Sequence, residues 1–308
     1  MCLLVAAALS ACASGRDGRR SMSDEELAAT DVPLVQMGDR PVLLVDDRET
    51  GAILADLDGQ IRLWNSWTLS QDDDAQRKRR RIEEYLRALS VRHLDMLERE
   101  ATSESPRVRA IACCALGFSG NDRVTGTLIA ALDDPVVEVV DNALLGLGLL
   151  ADPDTPLGPV ADALVQAPDE WTRSNAAYAL KRTIEKGATP GAVRNELRLA
   201  LLDQNDAVRA QVAAALVVCG DEDDIPTLRD ALYDSAPMVV LASAMAVRRI
   251  GSDTDTARGA AARALFDAWQ ERDDKRSKSV LKTELSRLAG RNWGDDVDEW
   301  REWAYRLP

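Results

Sequence analysis

The sequence predicts an all-α fold, an α-solenoid of repeated helix pairs, and three observations support this class. The pattern of residues 105–117, SPRVRAIACCALG, returns four more times downstream. Hydrophobic residues make up 46% of the 308 residues but aromatic residues only 4%, so the core has to be built from Ala, Leu and Val packed helix on helix. Within each copy, small residues recur three apart beside a branched apolar residue, and such a stripe lets neighbouring helices approach closely. Because each repeat contacts only its neighbours, we expect one elongated domain.

The five copies can be aligned column by column. Their first residues are Pro106, Val137, Glu170, Asp206 and Pro237. The column of small residues expected at the closest helix contacts contains Ala115, Gly146, Ala179, Ala215 and Ala246. Another column contains Arg109, Val140, Arg173, Arg209 and Val240, and its arginines are expected to be bonded within the array. The copies start 31, 33, 36 and 31 residues apart, a regular period for helix pairs.

Each copy is the second helix of a pair, and a first helix is predicted before it. The first helices are expected near residues 91–100, 122–132, 157–166, 190–202 and 224–233. Short polar turns of Asp, Asn and Ser separate the two helices of a pair, and these residues can cap the second helix. With two further helices, at 257–271 and 275–289, the predicted repeat array covers residues 72–289.

Residues 1–12 have the features of a secretion signal. The motif LSAC at residues 9–12 resembles the lipobox of bacterial lipoprotein signal peptides, in which the cysteine, here Cys12, is lipidated and becomes the new N-terminus. The apolar run 3–9 is too short to span a bilayer but suits a signal peptide. The preceding residues carry no Lys or Arg, which departs from the pattern and which an upstream start codon would explain. A short buried N-terminal helix is the alternative.

The resemblance to a lipobox also implies a location. Ala13 stands where an Asp would be the usual signal for retention in the inner membrane of enteric bacteria. We therefore expect a lipid-anchored protein of the cell envelope, at the outer membrane or the periplasmic face. If the lipobox is spurious, a cytoplasmic location is the alternative.

Residues 13–71 are predicted to precede the repeats in two parts. Residues 13–40 are rich in Gly, Ser, Arg and Asp without periodicity, so they are interpreted as a flexible spacer. Residues 41–71 are expected to form a small irregular segment or a β-hairpin. Asp58-Gly59 lies between two short apolar runs and is a strong two-residue hairpin signal. Because a lone hairpin is marginal in water, it would have to pack on the first repeat helix, through Trp64 and Trp67.

A helix with a basic face is predicted from Asp72 onward. Between residues 76 and 92, seven basic residues stand against two glutamates, a local charge of +5. A solvated helix face is the ordinary interpretation of such a cluster. The alternative is an electrostatic dock for an acidic partner or for lipid headgroups, with Arg79 and Arg80 as candidate contacts.

The repeat columns give the pattern D-x-x-V-R-x-x-A-x-x-A-L-G. Residues 108–117 match it most closely, and residues 208–216 match it again. This pattern resembles the second helix of HEAT repeats, including the short bacterial kind that is similar to phycobilin lyase repeats. The resemblance covers roughly residues 91–250 and implies a scaffold that binds another protein, although it does not name the partner.

Residues 290–308 are unlike the repeats. They resemble a G-x-x-aromatic-G-x-D-x-x-x-W-x-x-W ending that follows HEAT arrays in some bacterial proteins, with its two last aromatic positions at Trp300 and Trp303. These two residues fall on one helix face. We expect a Trp-rich cap over the exposed last repeat, which solenoids require, and a ligand site at the two tryptophans is the alternative.

The sequence contains no recognisable catalytic constellation. Its single histidine, His93, lies in a helical run without a Ser or Cys nucleophile context, and neither a GxGxxG motif nor a P-loop is present. The five cysteines show no CxxC spacing, so those in the repeats are interpreted as small buried side chains. The acidic clusters 221–224 and 253–255 lack the EF-hand pattern and are expected to cap helices. We therefore predict no enzyme, no cofactor and no metal site.

Charge decides the expected class of partner. A formal net charge of -14 argues against nucleic acid, because such binding rests on Lys and Arg neutralising phosphates. Residues 203–234 alone carry eight acids against two arginines, which favours a basic protein partner. Asp221, Asp223 and Asp224 are the candidate contacts. The leading hypothesis is a non-enzymatic, envelope-anchored scaffold. The alternatives are a cytoplasmic assembly factor of the same fold and a HEAT-like enzyme, of the bilin lyase or DNA glycosylase type.

Overall fold

The protein is an α-solenoid of paired helices, as the sequence predicts. The computed structural model describes residues 35–37, 40–42, 48–67 and 72–308, and fifteen α-helices lie in these ranges. They are α1 Thr50–Ser66, α2 Asp73–Arg92, α3 Leu94–Glu100, α4 Pro106–Phe118, α5 Thr125–Ala130, α6 Val137–Leu150, α7 Leu157–Gln166, α8 Glu170–Glu185, α9 Arg194–Ala200, α10 Asp206–Cys219, α11 Ile225–Ala231, α12 Pro237–Ile250, α13 Asp255–Glu271, α14 Lys275–Ala289 and α15 Val297–Arg306. In the part of the chain that is described, no helix is both long and apolar enough to cross a bilayer.

Two short strands precede the helices. β1 Val35–Met37 pairs with β2 Arg40–Val42 in antiparallel register. β1 and the first residue of β2 fall in the stretch that the sequence predicts to be a spacer. The predicted signal peptide, residues 1–12 with Cys12, lies outside the described residues.

The prediction of a hairpin across Asp58-Gly59 is wrong, because both residues lie inside α1. The apolar side chains there recur three and four apart, which is a helical period, and the resulting face is buried: Ile53, Leu54, Leu57, Ile61 and Trp64. This pattern outweighs the local turn signal. Trp64 does contact the first repeat, but from a helix and not from a hairpin: its ring meets Phe118 of α4 edge-on at 5.2 Å.

The second helices of all five pairs begin at the predicted residues. Local signals accompany four of these starts, whereas α6 begins at Val137 without a side-chain cap. Before α8, the Asp169 carboxylate accepts hydrogen bonds from the backbone N–H groups of Trp171 and Thr172. Before α10, the Asn205 side chain does the same for the second and third residues of that helix. In α4 and α12 a proline occupies the first turn, where no N–H partner is needed.

The chain divides into two compact units after Asp152. In the N-terminal unit, α4 packs against α6, and in the C-terminal unit α8, α10 and α12 pack in succession. The column of small residues is buried throughout, as predicted: Ala115, Ala179, Ala215 and Ala246 are at most 1% exposed. The sequence predicts a single array and does not show this division.

A very close contact between α4 and α6 joins two glycines. A Cβ atom on Gly117 would lie 2.5 Å from the Cα atom of Gly146, and a Cβ atom on Gly146 would lie 2.5 Å from the carbonyl oxygen of Cys113. Both distances are impossible for carbon. The backbones of α4 and α6 therefore touch at a depth that no other residue permits.

Candidate partner-binding groove

The arginine column forms an ordered set of ion pairs, which we call the Arg–Asp ladder. Its rungs are Arg109–Asp134 in the N-terminal unit, and Arg173–Asp203 and Arg209–Asp234 in the C-terminal unit. In each rung two guanidinium nitrogens donate to the carboxylate of the aspartate in the turn of the following repeat. Between Arg173 and Asp203 these two nitrogen–oxygen distances are 2.6 and 2.9 Å. The third nitrogen of Arg173 donates to the backbone carbonyls of Ala167 and Pro168. The expectation that these arginines are bonded within the array is confirmed.

The ladder charges neutralise each other in a half-buried setting. Burial alone would raise the pKa of Asp203, but hydrogen bonds from Arg173 and from the backbone N–H of Asn205 outweigh burial and hold this pKa below its usual value. Asp234 behaves in the same way beside Arg209. The rungs therefore stay ionised and paired at neutral pH, and they are not free charges for a partner.

The ladder continues where its arginine is missing. Val240 occupies the arginine column in the last copy, and it is fully buried. Arg272, which follows α13, instead donates to the carbonyl oxygens of Leu232 and Asp234, both at 2.9 Å. Its guanidinium also pairs with Asp274. Arg272, just after α13, thus bonds the carbonyl oxygens of the turn that an arginine at position 240 would have bonded.

A groove with a volume of about 660 Å³ opens between two ladder turns of the C-terminal unit. Its lining comes from the end of α7, the start of α8 and the turn before α10: Val165, Ala167, Pro168, Glu170, Arg173, Leu202, Asp203, Gln204 and Asn205. The Arg173–Asp203 rung forms part of this lining. Since that rung is fixed by four hydrogen bonds to backbone and side chain, the groove has a preorganised polar wall.

Large aliphatic side chains stand exposed beside this polar wall. Leu202 is 78% exposed and Val165 is 44% exposed, and both line the groove. Leu199, one turn earlier on α9, is 61% exposed. Leucines of the repeat core are fully buried, whereas these three side chains are exposed and contribute little to core packing. Grouped exposed apolar residues mark interaction surfaces more often than scattered ones do.

The rim of the groove is acidic. Glu170 lines it and forms no ion pair among the described residues, and Asp169 and Asp206 each stand next to a lining residue. The single basic lining residue, Arg173, is neutralised by Asp203. The groove therefore combines apolar contact area with one carboxylate, Glu170, that is outside any ion pair of the described chain.

The predicted acidic contacts on the turn after α10 are largely used within the chain. The Asp224 carboxylate is fully buried and accepts from Arg198 at 2.5 Å, while Asp221 pairs with Arg194 and Arg198. The two aspartates also form a capping box around the 3-10 turn Glu222–Asp224. Of the three candidates, only Asp223 is exposed without an ion pair in the described chain. The charge count over residues 203–234 overestimated the free acids, because their partners Arg173, Arg194 and Arg198 lie outside this stretch.

The predicted basic contacts separate in a similar way. The guanidinium of Arg79 lies 5.0 Å from the centre of the Trp64 ring and packs over it. Arg80 is exposed and forms no ion pair with any described residue. Of this pair, Arg80 alone is available to a partner.

The two candidate tryptophans form part of an aromatic cluster at the chain's end. Trp300 is fully buried and its indole N–H donates to the carbonyl of Gly294 at 3.1 Å. Its ring meets Trp293 at 4.6 Å and Trp269 of α13 at 6.3 Å, each edge-on. Trp303 is half-buried and packs beside Trp300 at 6.2 Å. These contacts join the C-terminal segment to α13, and its role as a cap stays a prediction.

The groups that could carry chemistry are protected or engaged. Burial raises the pKa of the Cys113 thiol to about 12 and that of the Cys219 thiol to about 11, so neither is a ready nucleophile. His93 lies at the junction of α2 and α3 and has a partner of its own. Within the described ranges, no three His, Cys, Asp or Glu side chains gather as a metal site would require.

Known proteins resemble the chain in fold. No protein-family model and no curated protein matches the sequence. A crystal structure of a Kap121p mutant is 15% identical, with a TM-score of 0.55, and covers 78% of this chain but 30% of its own. An engineered protein of the Northeast Structural Genomics Consortium is 18% identical, with a TM-score of 0.52, over 64% of this chain and 98% of its own. The complex of CpcE and CpcF of phycocyanin lyase from Nostoc has a TM-score of 0.39 at 16% identity over 82% of this chain and all of its own, too low to support an argument.

These likenesses concern architecture alone. Together with the helix pairs, they show the fold: an α-solenoid of HEAT-like helix pairs.

Proposed function

We propose that the protein is a non-enzymatic scaffold whose C-terminal unit binds a basic segment of a partner protein in the groove. One observation carries the proposal: exposed Leu202 and Val165 stand beside Glu170 on a wall that is already rigid. Apolar area supplies affinity, and the carboxylates select a positively charged segment and speed its approach. Because the wall is held by the ladder, little conformational entropy is lost on binding.

The scaffold is further proposed to be attached to the cell envelope through a lipid on Cys12. The support for this is the LSAC motif in the sequence. Attachment would keep the repeat array near the membrane while the groove recruits its partner. Without lipidation, the same groove would serve a cytoplasmic assembly factor.

Site-specific crosslinking tests the groove. A photoreactive amino acid replaces Gln204, an exposed lining residue, in the full-length protein expressed in its native cells. After irradiation, we expect one dominant adduct, and mass spectrometry of the joined peptide should show a segment with net positive charge and apolar residues. The same substitution at Ser279 on α14, exposed and outside the groove lining, is the control.

A second variant tests whether the adduct depends on the exposed apolar side chains of the groove. Leu202→Glu in the crosslinking background should reduce the adduct at least about tenfold, since it puts a charge where apolar contact is needed. Val137→Glu, at a position that is 52% exposed in the other unit, should leave the adduct unchanged. Equal adducts at Gln204 and Ser279, or a joined peptide that is acidic, would refute the proposed groove function.

A further inference from the structure

α2 carries four arginines on one exposed face, and we call them the basic stripe: Arg77, Arg80, Arg81 and Arg87. Successive residues of a helix turn by about 100°, so these four lie within an arc of about 120° and span about 15 Å along the axis. The opposite face is buried through Ile82, Leu86 and Leu89. The stripe is thus a straight row of guanidinium groups on a firmly packed helix.

The stripe is largely unneutralised. Arg80, Arg81 and Arg87 form no ion pair or hydrogen bond with any described residue, while Arg77 shares Asp74 with Lys78. Two acids, Asp73 and Glu84, share this face, and neither forms an ion pair with a described residue. Three unpaired arginines in a row are unusual in a chain whose formal net charge is -14, where carboxylates outnumber cations. Such a surface lowers its energy by meeting an external anion.

We infer that the basic stripe docks on an anionic membrane surface and holds α2 parallel to it. A protein interface needs buried apolar or aromatic anchors at its centre, and among the described residues beside the stripe only Val91, 53% exposed, could serve as one. Lipid headgroups, by contrast, are mobile and can meet each arginine separately. Guanidinium groups also bind phosphate with two parallel hydrogen bonds, which suits phospholipid headgroups.

This docking is independent of the groove, which lies in the other unit, and of the lipid proposed for Cys12. With a lipid anchor, the stripe would add a second attachment point and fix the orientation of the N-terminal unit. Two weak signals of this kind give stable anchoring where one alone is reversible. The stripe should therefore be measurable by itself once the acyl chain is removed.

Vesicle co-sedimentation tests the inference on the full chain with Cys12→Ser, so that no acyl chain contributes. Vesicles of phosphatidylcholine with about one third phosphatidylglycerol should bind this protein, and pure phosphatidylcholine vesicles should not. Each basic residue near such a surface raises partition roughly fivefold, so Arg80→Gln, Arg81→Gln and Arg87→Gln together should lower it about a hundredfold. Binding should also weaken as salt rises.

The control removes the same charge elsewhere. Arg229→Gln, Arg276→Gln and Arg306→Gln change three exposed arginines of the C-terminal unit and should leave partition unchanged within about twofold. Circular dichroism should show equal thermal midpoints for both triple variants. Equal loss in the two variants, or no binding to anionic vesicles by the Cys12→Ser protein, would overturn the inference. Binding of soluble poly-glutamate without vesicle binding would assign the stripe to an acidic protein instead.

Discussion

Single buried polar groups in this protein differ in whether they find hydrogen-bond partners. Asn205 is half-buried, and its side-chain oxygen accepts two backbone N–H groups at the start of α10. Asn175 on α8 is 1% exposed, and neither its amide nitrogen nor its oxygen has a partner within the described chain. An unsatisfied buried amide costs roughly 1–3 kcal/mol, so the two asparagines should respond oppositely to the same substitution.

We predict that Asn175→Leu raises the free energy of unfolding by about 1–2 kcal/mol, because a side chain of similar shape replaces an amide without partners. Asn205→Leu should lower it by about 1 kcal/mol, since it removes a helix cap. Urea denaturation followed by circular dichroism measures both. A loss of stability in Asn175→Leu as large as that in Asn205→Leu would show that the buried amide is bonded in solution.

The ladder makes stability depend on pH in a defined direction. The pKa of Asp203 is held below its unfolded value of about 3.9, so its contribution is present above about pH 4 and is lost as pH falls through the folded pKa. Asp203→Asn should therefore cost about 1–3 kcal/mol at neutral pH and progressively less toward about pH 3. Denaturation curves at the two pH values measure the difference.

The control for this prediction is Asp223→Asn, because the Asp223 carboxylate is exposed and outside any ion pair in the described chain. Its effect on stability should stay within about 0.5 kcal/mol at either pH. If Asp203→Asn and Asp223→Asn lose the same stability at neutral pH, the ladder contributes no more than an exposed carboxylate does.

At the scale of the helix, the contact between α4 and α6 leaves no room for a side chain at Gly146. Gly146→Ala would bring a methyl group to 2.5 Å from a backbone carbonyl oxygen, which side-chain movement cannot relieve. We expect it to destabilise by at least about 2–3 kcal/mol, because the two helices must separate. Thermal unfolding of the variant measures this loss.

Gly126→Ala is the matched control. Gly126 lies in α5, is exposed, and a Cβ atom there would meet nothing within 4 Å. Alanine should therefore stabilise this helix by about 0.5–1 kcal/mol. Two glycine substitutions of opposite sign would establish that the small-residue column is set by helix contact; similar effects from both would contradict the close approach.

The starts of the second helices could be predicted from sequence because the signals for them lie close to each start. Capping residues such as Asp169 and Asn205 lie at the helix starts, and the small-residue column follows at a fixed offset. α1 was missed since its Asp58-Gly59 pair is a turn signal in isolation, while its helical period is visible only over the whole of Thr50–Ser66. The turn signal of two residues and the helical period of seventeen residues disagreed, and the structure follows the helical period.

The groove and the charge balance could not be predicted in the same way. The groove depends on the distance between two turns that are more than thirty residues apart, which the repeat period fixes only in outline. The acids of residues 203–234 appear unpaired in the sequence, yet Arg173, Arg194 and Arg198 reach them from other helices. Leu202 did carry a signal in the sequence. It directly follows Leu201, which is buried at the end of α9, and two adjacent leucines at a helix end cannot both lie on its buried face.

At the scale of the whole molecule, lipidation of Cys12 stays a prediction. We expect the full-length gene, with any upstream start codon, to give a membrane-bound product in a Gram-negative host, and the mass of the N-terminal peptide should show the acyl groups on Cys12. Cys12→Ser should release most of the protein into the soluble fraction. Circular dichroism should be unchanged, because Cys12 lies outside the repeat helices. A soluble, unmodified wild-type product that retains Met1 would contradict the prediction.

The distribution of charge also predicts how the protein treats nucleic acid. Residues 76–92 carry +5, so the rest of the chain carries -19, and a duplex approaching the basic stripe meets repulsion from almost every other surface. A protein binds DNA tightly by releasing many counterions, whereas the stripe offers three unpaired arginines over about 10 Å. We expect no tight binding of duplex DNA at about 0.15 M ionic strength, measured by fluorescence anisotropy. Weak binding at low salt should disappear in the Arg80→Gln, Arg81→Gln, Arg87→Gln variant. Tight binding with a steep salt dependence that survives in this variant would place a nucleic-acid surface elsewhere and refute the assignment of a protein partner.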